Sequence, residues 1–181
     1  MQATRTYLEL SRETQFKPGF GTFPDLVIER VERPTPELYR ECYRTVGEAY
    51  HWRDRWDWTD TEIRAHLAQP EITLHVARRH GALAGWYELR RVPEDGSVEI
   101  AYFGLLPHAI GHGLGKHLLS CAVRDAWALG PSRVRADACR GRGRSRAGAA
   151  RSRRSRRSRP RALGAARTTP RARRGAARRA A

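Results

Sequence analysis

The sequence has no apolar run long enough to cross a bilayer, which takes roughly 20 residues. Its first fourteen residues, MQATRTYLELSRET, lack the apolar centre of a secretory signal. A membrane partner is therefore not expected, and the chain reads as cytoplasmic. Cysteine is scarce: Cys42, Cys121 and Cys139 are odd in number, far apart and without C-x-x-C spacing. That argues against a disulfide framework and against a zinc site. Cys42 and Cys121 fall on apolar helix faces, where a small buried thiol is expected. Acidic residues are absent after position 139. Residues 140–181 hold 17 arginines, a single leucine (Leu163), and no lysine, aromatic, isoleucine, valine or methionine. Such a composition cannot bury enough apolar surface to offset chain entropy, and it predicts a disordered tail.

The formal net charge of +16 suggests a nucleic-acid binder until it is located. Residues 1–139 carry 18 basic and 19 acidic side chains, so the whole excess sits in the arginine tail. The body is near neutral and rich in Trp, Tyr, Leu and Val, as a globular domain should be. It is long enough for one buried core.

Periodicity divides the body into alternating elements. Residues 6–10 read as a short strand or extended arm, and the Gly/Pro-punctuated residues 12–25 as a linker. Residues 26–31 form a strand. Residues 34–50 form a helix capped by Thr35, with Pro36 in its first turn and Leu38, Cys42, Val46 and Ala49 on one face. Residues 59–69 form a second helix, opened by a Thr59-x-x-Glu62 capping box and stopped by Pro70. Residues 71–92 read as two strands around a turn at His80-Gly81. Residues 98–106 are the third strand of this meander. Strict alternation puts Val98, Ile100 and Tyr102 on one face and Glu99, Ala101 and Phe103 on the other. An apolar-striped helix follows, with Leu114, Leu118, Ala122 and Trp127 on its broad face, ending at Gly130-Pro131. A last strand spans 133–139, and the intervening helix implies a parallel crossover. The fold class is α/β: a mixed β-sheet flanked by helices. Three parts are expected: an arm and linker (1–25), one domain (26–139) and the tail (140–181).

The third meander strand runs into Gly111, Gly113 and Gly115, immediately before a helix. First-turn amides of a helix have no internal partners and, with the helix dipole, form an anion site. Glycines remove the side chains that would keep a phosphate away. The G-x-x-x-x-G-K-[ST] loop is absent, and the G-x-G-x-G spacing fails the dinucleotide pattern. The preceding strand also closes a meander instead of opening a βαβ unit.

The run FGLLPHAIGHGLGKHLL resembles motif A of the GNAT superfamily of acyl-CoA-dependent N-acetyltransferases, with Ile110 where Gln or Arg is usual. Together with TYLEL near the start and the Trp-rich WRDRWDWTD, it is similar to a bacterial subgroup with an N-terminal extension. The resemblance covers residues 6–139. It implies acetyl-CoA as co-substrate, with no metal. It implies pantetheine pairing along Phe103, Leu105 and Leu106 where two strands splay apart, and pyrophosphate on the amides of Gly111, His112, Gly113, Leu114, Gly115 and Lys116. Transfer to a primary amine, on a small molecule or a peptide, would be direct. Glu99 is the implied general base and the Leu105 amide an oxyanion donor. The cluster Tyr50, His51, Trp52, Trp56 and Trp58, facing Trp86, Tyr87 and Glu88, can line a pocket for a cation. The substrate contacts expected from it are Trp52, Trp56, Trp86 and Tyr87. His108, His112 and His117 straddle a glycine turn without a carboxylate and are not read as metal ligands. His75 and His80 read as surface.

GNAT domains normally continue past the fifth strand with a helix and two strands. Here the arginine tail stands in that place. It reads either as the out-of-frame translation of a GC-rich gene or as a functional basic arm. On the first reading the last strand has an uncovered edge, and the product is poorly soluble with little or no activity. Nucleic acid would be bound only nonspecifically through the tail. Two rival functions stand beside acetyl transfer: a nucleic-acid binder acting through the tail, and an acyl-CoA-binding domain without turnover.

Overall fold

A computed structural model describes residues 4–140, and the arginine tail lies outside the described residues. Six strands form one sheet in the order β1-β6-β5-β4-β3-β2. They are β1 (Thr4–Leu10), β2 (Leu26–Arg30), β3 (Ile72–Arg79), β4 (Ala82–Val92), β5 (Ser97–Leu105) and β6 (Arg133–Arg140). Helices α1 (Pro36–Tyr50) and α2 (Asp60–Leu67) join β2 to β3, and α3 (Leu114–Ala128) joins β5 to β6. Among the described residues, no helix is long and apolar enough to cross a membrane.

Local chemistry sets most boundaries. The Thr35 hydroxyl accepts from the Leu38 amide at 3.3 Å and starts α1, with Pro36 in the first turn. Thr59 and Glu62 cap α2 reciprocally. His80 (φ 50°) and Gly81 (φ 80°) are both left-handed, the pair that a two-residue β3–β4 hairpin requires. The core lies on both sheet faces. One layer joins Tyr39, Tyr43 and Val46 of α1 to Leu74, Val76 and Trp86. The other joins Leu118, Ala122 and Ala126 of α3 to Tyr87, Leu89, Val98 and Ile100.

Two features depart from the sequence reading. The β4–β5 register pairs Leu89 with Ile100 but Glu88 with Tyr102, leaving Ala101 as an extra residue. This bulge reverses the alternation. Tyr102 therefore packs with the α1 layer beside Trp86, away from Val98 and Ile100. The second departure is at the last strand. Its far edge is not left uncovered, because β1 pairs antiparallel along β6 from Thr4↔Arg140 to Leu10↔Val134. β1 thus takes the place of edge strand on that side.

Candidate active site

β5 and β6 run parallel and pair only from Ser97↔Arg133 to Ile100↔Ala136. Beyond Ile100 the two strands separate. β5 continues against β4 alone, through Tyr102↔Glu88 to Leu105↔Gly85. The Leu106 amide donates to the Ala84 carbonyl at 2.9 Å. By the alternation of an antiparallel ladder, the amides of Phe103 and Leu105 face away from β4, into the gap. Leu106 is buried with its amide taken, so of the expected pantetheine contacts only Phe103 and Leu105 offer donors.

The gap leads to the start of α3. Gly111 (φ 91°) and Gly113 (φ 79°) adopt left-handed backbone, and Gly113 is the helix N-cap without any side-chain cap. A Cβ on Gly111 would meet nothing within 4 Å, so the turn is open. Gly111, His112, Gly113 and Lys116 are exposed. Leu114 is 1% exposed and packs inward, leaving only its amide for a ligand. This open turn before a 15-residue helix fits a diphosphate.

The opposite face of β5 carries the polar groups. Glu99 is 19% exposed and accepts from Arg90 at 2.5 and 3.1 Å. The Tyr102 hydroxyl donates to Asp54, whose other oxygen accepts from Tyr43 at 2.7 Å. Partial burial pushes the Asp54 carboxyl up, but the Tyr102 and Tyr43 hydrogen bonds outweigh it and hold the group below its ordinary value. Burial, then the Asp54 carboxylate, raise the Tyr102 phenol far above its usual range, so it stays protonated. Trp52 lies edge-on to Tyr102, with ring centroids 5.0 Å apart.

Behind this pair is a buried ionic network. Glu88 is 0% exposed. It accepts from Arg55 at 3.0 and 3.1 Å and from Tyr39 at 3.0 Å, and it meets His66 at 3.2 Å. Burial alone would raise the Glu88 carboxyl, but the His66 hydrogen bond and the Arg55 guanidinium more than offset it and hold it low. The network ties α1, α2 and the connection between them to β4. The Arg55 guanidinium lies 4.5 Å over the Tyr102 ring and 4.8 Å over Trp58. The aromatic cluster thus already holds a cation from its own chain.

The expected substrate contacts divide accordingly. Trp52 is half-buried at the rim of the Asp54–Tyr102 pair. Trp86 is fully buried, stacked on Tyr102 at 5.8 Å, and supports the site from beneath. Trp56 stands under Arg53 and Arg44, at 4.7 and 5.6 Å. Tyr87 is a correction: it is on the other sheet face, buried, and its hydroxyl donates to Asp125 at 2.5 Å. His75, expected at the surface, is 9% exposed and stacked on Tyr87 at 4.6 Å. Asp54 and Arg55 escaped the sequence reading. The one signal for them was the charged spacing inside WRDRWDWTD.

Comparisons with known proteins report the same architecture. An aminoglycoside acetyltransferase from an uncultured soil metagenomic sample, solved with sisomicin, superposes with a TM-score of 0.54 at 18% identity, over 64% of this chain and 78% of that one. The GCN5-related N-acetyltransferase of Sphaerobacter thermophilus gives 0.56 at 18% identity, over 83% of this chain and 46% of that one. The GCN5-related N-acetyltransferase of Kribbella flavida gives 0.53 at 18%, over 76% and 49%. At these identities the likeness is one of fold. No curated protein matches the chain. The sequence model of the acetyltransferase (GNAT) family matches residues 34–146, more than half the chain, across the splayed strands and the glycine turn. That match includes the parted strands and the glycine turn, and the chain belongs to the GNAT acetyltransferase family.

Proposed function

We propose that the chain transfers the acetyl group of acetyl-CoA to a primary amine by direct attack. The observation that carries this reading is the free edge of β5 beyond Ile100, running straight to the open turn at Gly111–Lys116. An extended pantetheine chain completes the ladder of that edge, and the diphosphate rests on the first-turn amides, with Lys116 as added charge. The acceptor approaches from the α1 side. Asp54 receives its ammonium there, because each carboxylate oxygen keeps a lone pair after the Tyr43 and Tyr102 hydrogen bonds. One ammonium proton first leaves for Glu99 through water, which frees the nitrogen lone pair. The amine nitrogen then attacks the thioester carbonyl: the C–N bond forms, the C–S bond breaks, and the second nitrogen proton goes to the departing CoA thiolate. Of the two amides facing the gap, Phe103 stands nearer Glu99, four residues away or about 13 Å along the strand. A chain of waters spans that separation, and of the two gap-facing amides one, Leu105 or Phe103, donates to the oxyanion while the other contacts the pantetheine. Aminoglycosides, the class acted on by the soil enzyme, are suitable first acceptors to assay.

A ligand bound only by the folded state raises stability by mass action, about 2.7 kcal/mol at a hundredfold excess over Kd. Acetyl-CoA should therefore raise the thermal midpoint of the chain, and the rise should vanish in Gly113→Glu, whose side chain occupies the turn. Thiol release from acetyl-CoA with sisomicin as acceptor measures turnover. No shift at millimolar acetyl-CoA would end the reading.

A further inference from the structure

The segment joining β1 to β2 crosses the outer face of α3 beside the glycine turn, held by anchors on both sides. The Gly19 amide donates to the Ser120 hydroxyl at 2.8 Å, and the Gly21 amide to His117 Nδ1 at 3.1 Å. A side chain on Gly19 would overlap the methylenes of Lys116, so the strap lies directly on that residue. Phe23 packs edge-on to His117 at 5.3 Å, with its ring 3.8 Å from where a Cβ on Gly113 would stand. Phe20 sits between the two anchored glycines, edge-on to His117 at 5.9 Å.

Phe20 is nevertheless 52% exposed. Single exposed apolar side chains are ordinary. This one is displayed by a backbone bolted on either side of it. Of the five large apolar side chains left exposed among the described residues, two flank the same turn: Phe20 and Ile110, the latter at 54%. A site for a bare anion has no use for an apolar border. A nucleotide does, because its phosphates need amides and its base needs a flat apolar surface. From Phe23 to Phe20 the strap extends at most about 10 Å, three residues of extended chain. That is within the span of the ribose and base that follow a diphosphate at Gly113.

We propose that Phe20 is the stacking platform for the adenine base of acyl-CoA, so that the N-terminal strap reads the nucleotide end of the co-substrate. This rests on the acyl-CoA reading above. Base–aromatic stacking is strong enough that its loss should cost at least about fivefold in affinity. The strap would then discriminate acyl-CoA from acyl groups carried on phosphopantetheine alone, which has no base.

The test is calorimetric titration of the full chain and Phe20→Ala with acetyl-CoA and with acetyl-4′-phosphopantetheine. Phe20 is exposed, so the variant should keep the wild-type thermal midpoint, and Phe20→Trp should keep the affinity for acetyl-CoA. The expected result is at least a fivefold rise in Kd for acetyl-CoA and less than a twofold change for acetyl-4′-phosphopantetheine. Equal weakening toward both ligands would make Phe20 a mere support for the turn and overturn the proposal, as would no change toward either. A wild-type chain that binds neither ligand would instead overturn the acyl-CoA reading itself.

Discussion

Replacing Glu88 by Gln removes the only carboxylate that faces Arg55 in the buried network, while the amide keeps its size. Arg55 is 12% exposed in its side chain and Glu88 0%, so little solvent screens the pair. Removing one partner of a buried pair leaves an uncompensated charge and costs about 3–5 kcal/mol. Folded domains are stable by only about 5–15 kcal/mol, so this one change consumes a large part of the total. At roughly 2–4 °C per kcal/mol for a domain of this size, the thermal midpoint should fall by about 6–20 °C. Urea unfolding followed by tryptophan fluorescence reports it directly, since Trp52, Trp58 and Trp86 surround the network. The double variant Glu88→Leu with Arg55→Met should regain much of the loss, because both charges leave together. A loss below about 1 kcal/mol in Glu88→Gln would refute the view that this ion pair anchors the α1–α2 connection to the sheet.

Glu99→Gln should lower kcat by about a hundredfold or more, with acetyl-CoA affinity unchanged by calorimetry. An unchanged kcat would leave Glu99 as a mere partner of Arg90. Gly104→Ala places a methyl group against the Val46 side chain of α1 and should destabilise by about 1–3 kcal/mol, read as a lowered urea midpoint. Burial lowers the His75 pKa from its ordinary 6.5, against the pull of Asp125. The unfolded chain then binds the proton first, so His75 withdraws stability as pH falls below about 6.5. Unfolding free energies at pH 7.5 and 5.5 should differ less in His75→Phe than in the wild type. Equal differences would show that His75 does not titrate on unfolding.

The elements that were legible in the sequence are those written locally. Thr35 with Pro36, Thr59 with Glu62, and His80-Gly81 each fix a boundary through neighbours within three residues. The glycine turn belongs to the same class, since its left-handed backbone needs no distant partner. What escaped is non-local. The Glu88 network assembles Tyr39, Arg55, His66 and Glu88, which no periodicity relates. The cover that β1 gives β6 joins the two ends of the described chain.

The bulge at Ala101 shows how small such a non-local signal can be. Period-2 reading assigns faces correctly up to Ile100 and wrongly at Tyr102, because one unpaired residue shifts every later side chain to the other face. The pairing of β5 with β6 also ends at Ile100, immediately before that residue. The same short stretch therefore frees the edge proposed for pantetheine and turns Tyr102 toward the face that carries Glu99 and Asp54. A sequence reading that keeps strict alternation here still finds the glycine turn, which is local. It puts Tyr102 on the α3 side and so misses its hydrogen bond to Asp54, which the register slip makes possible.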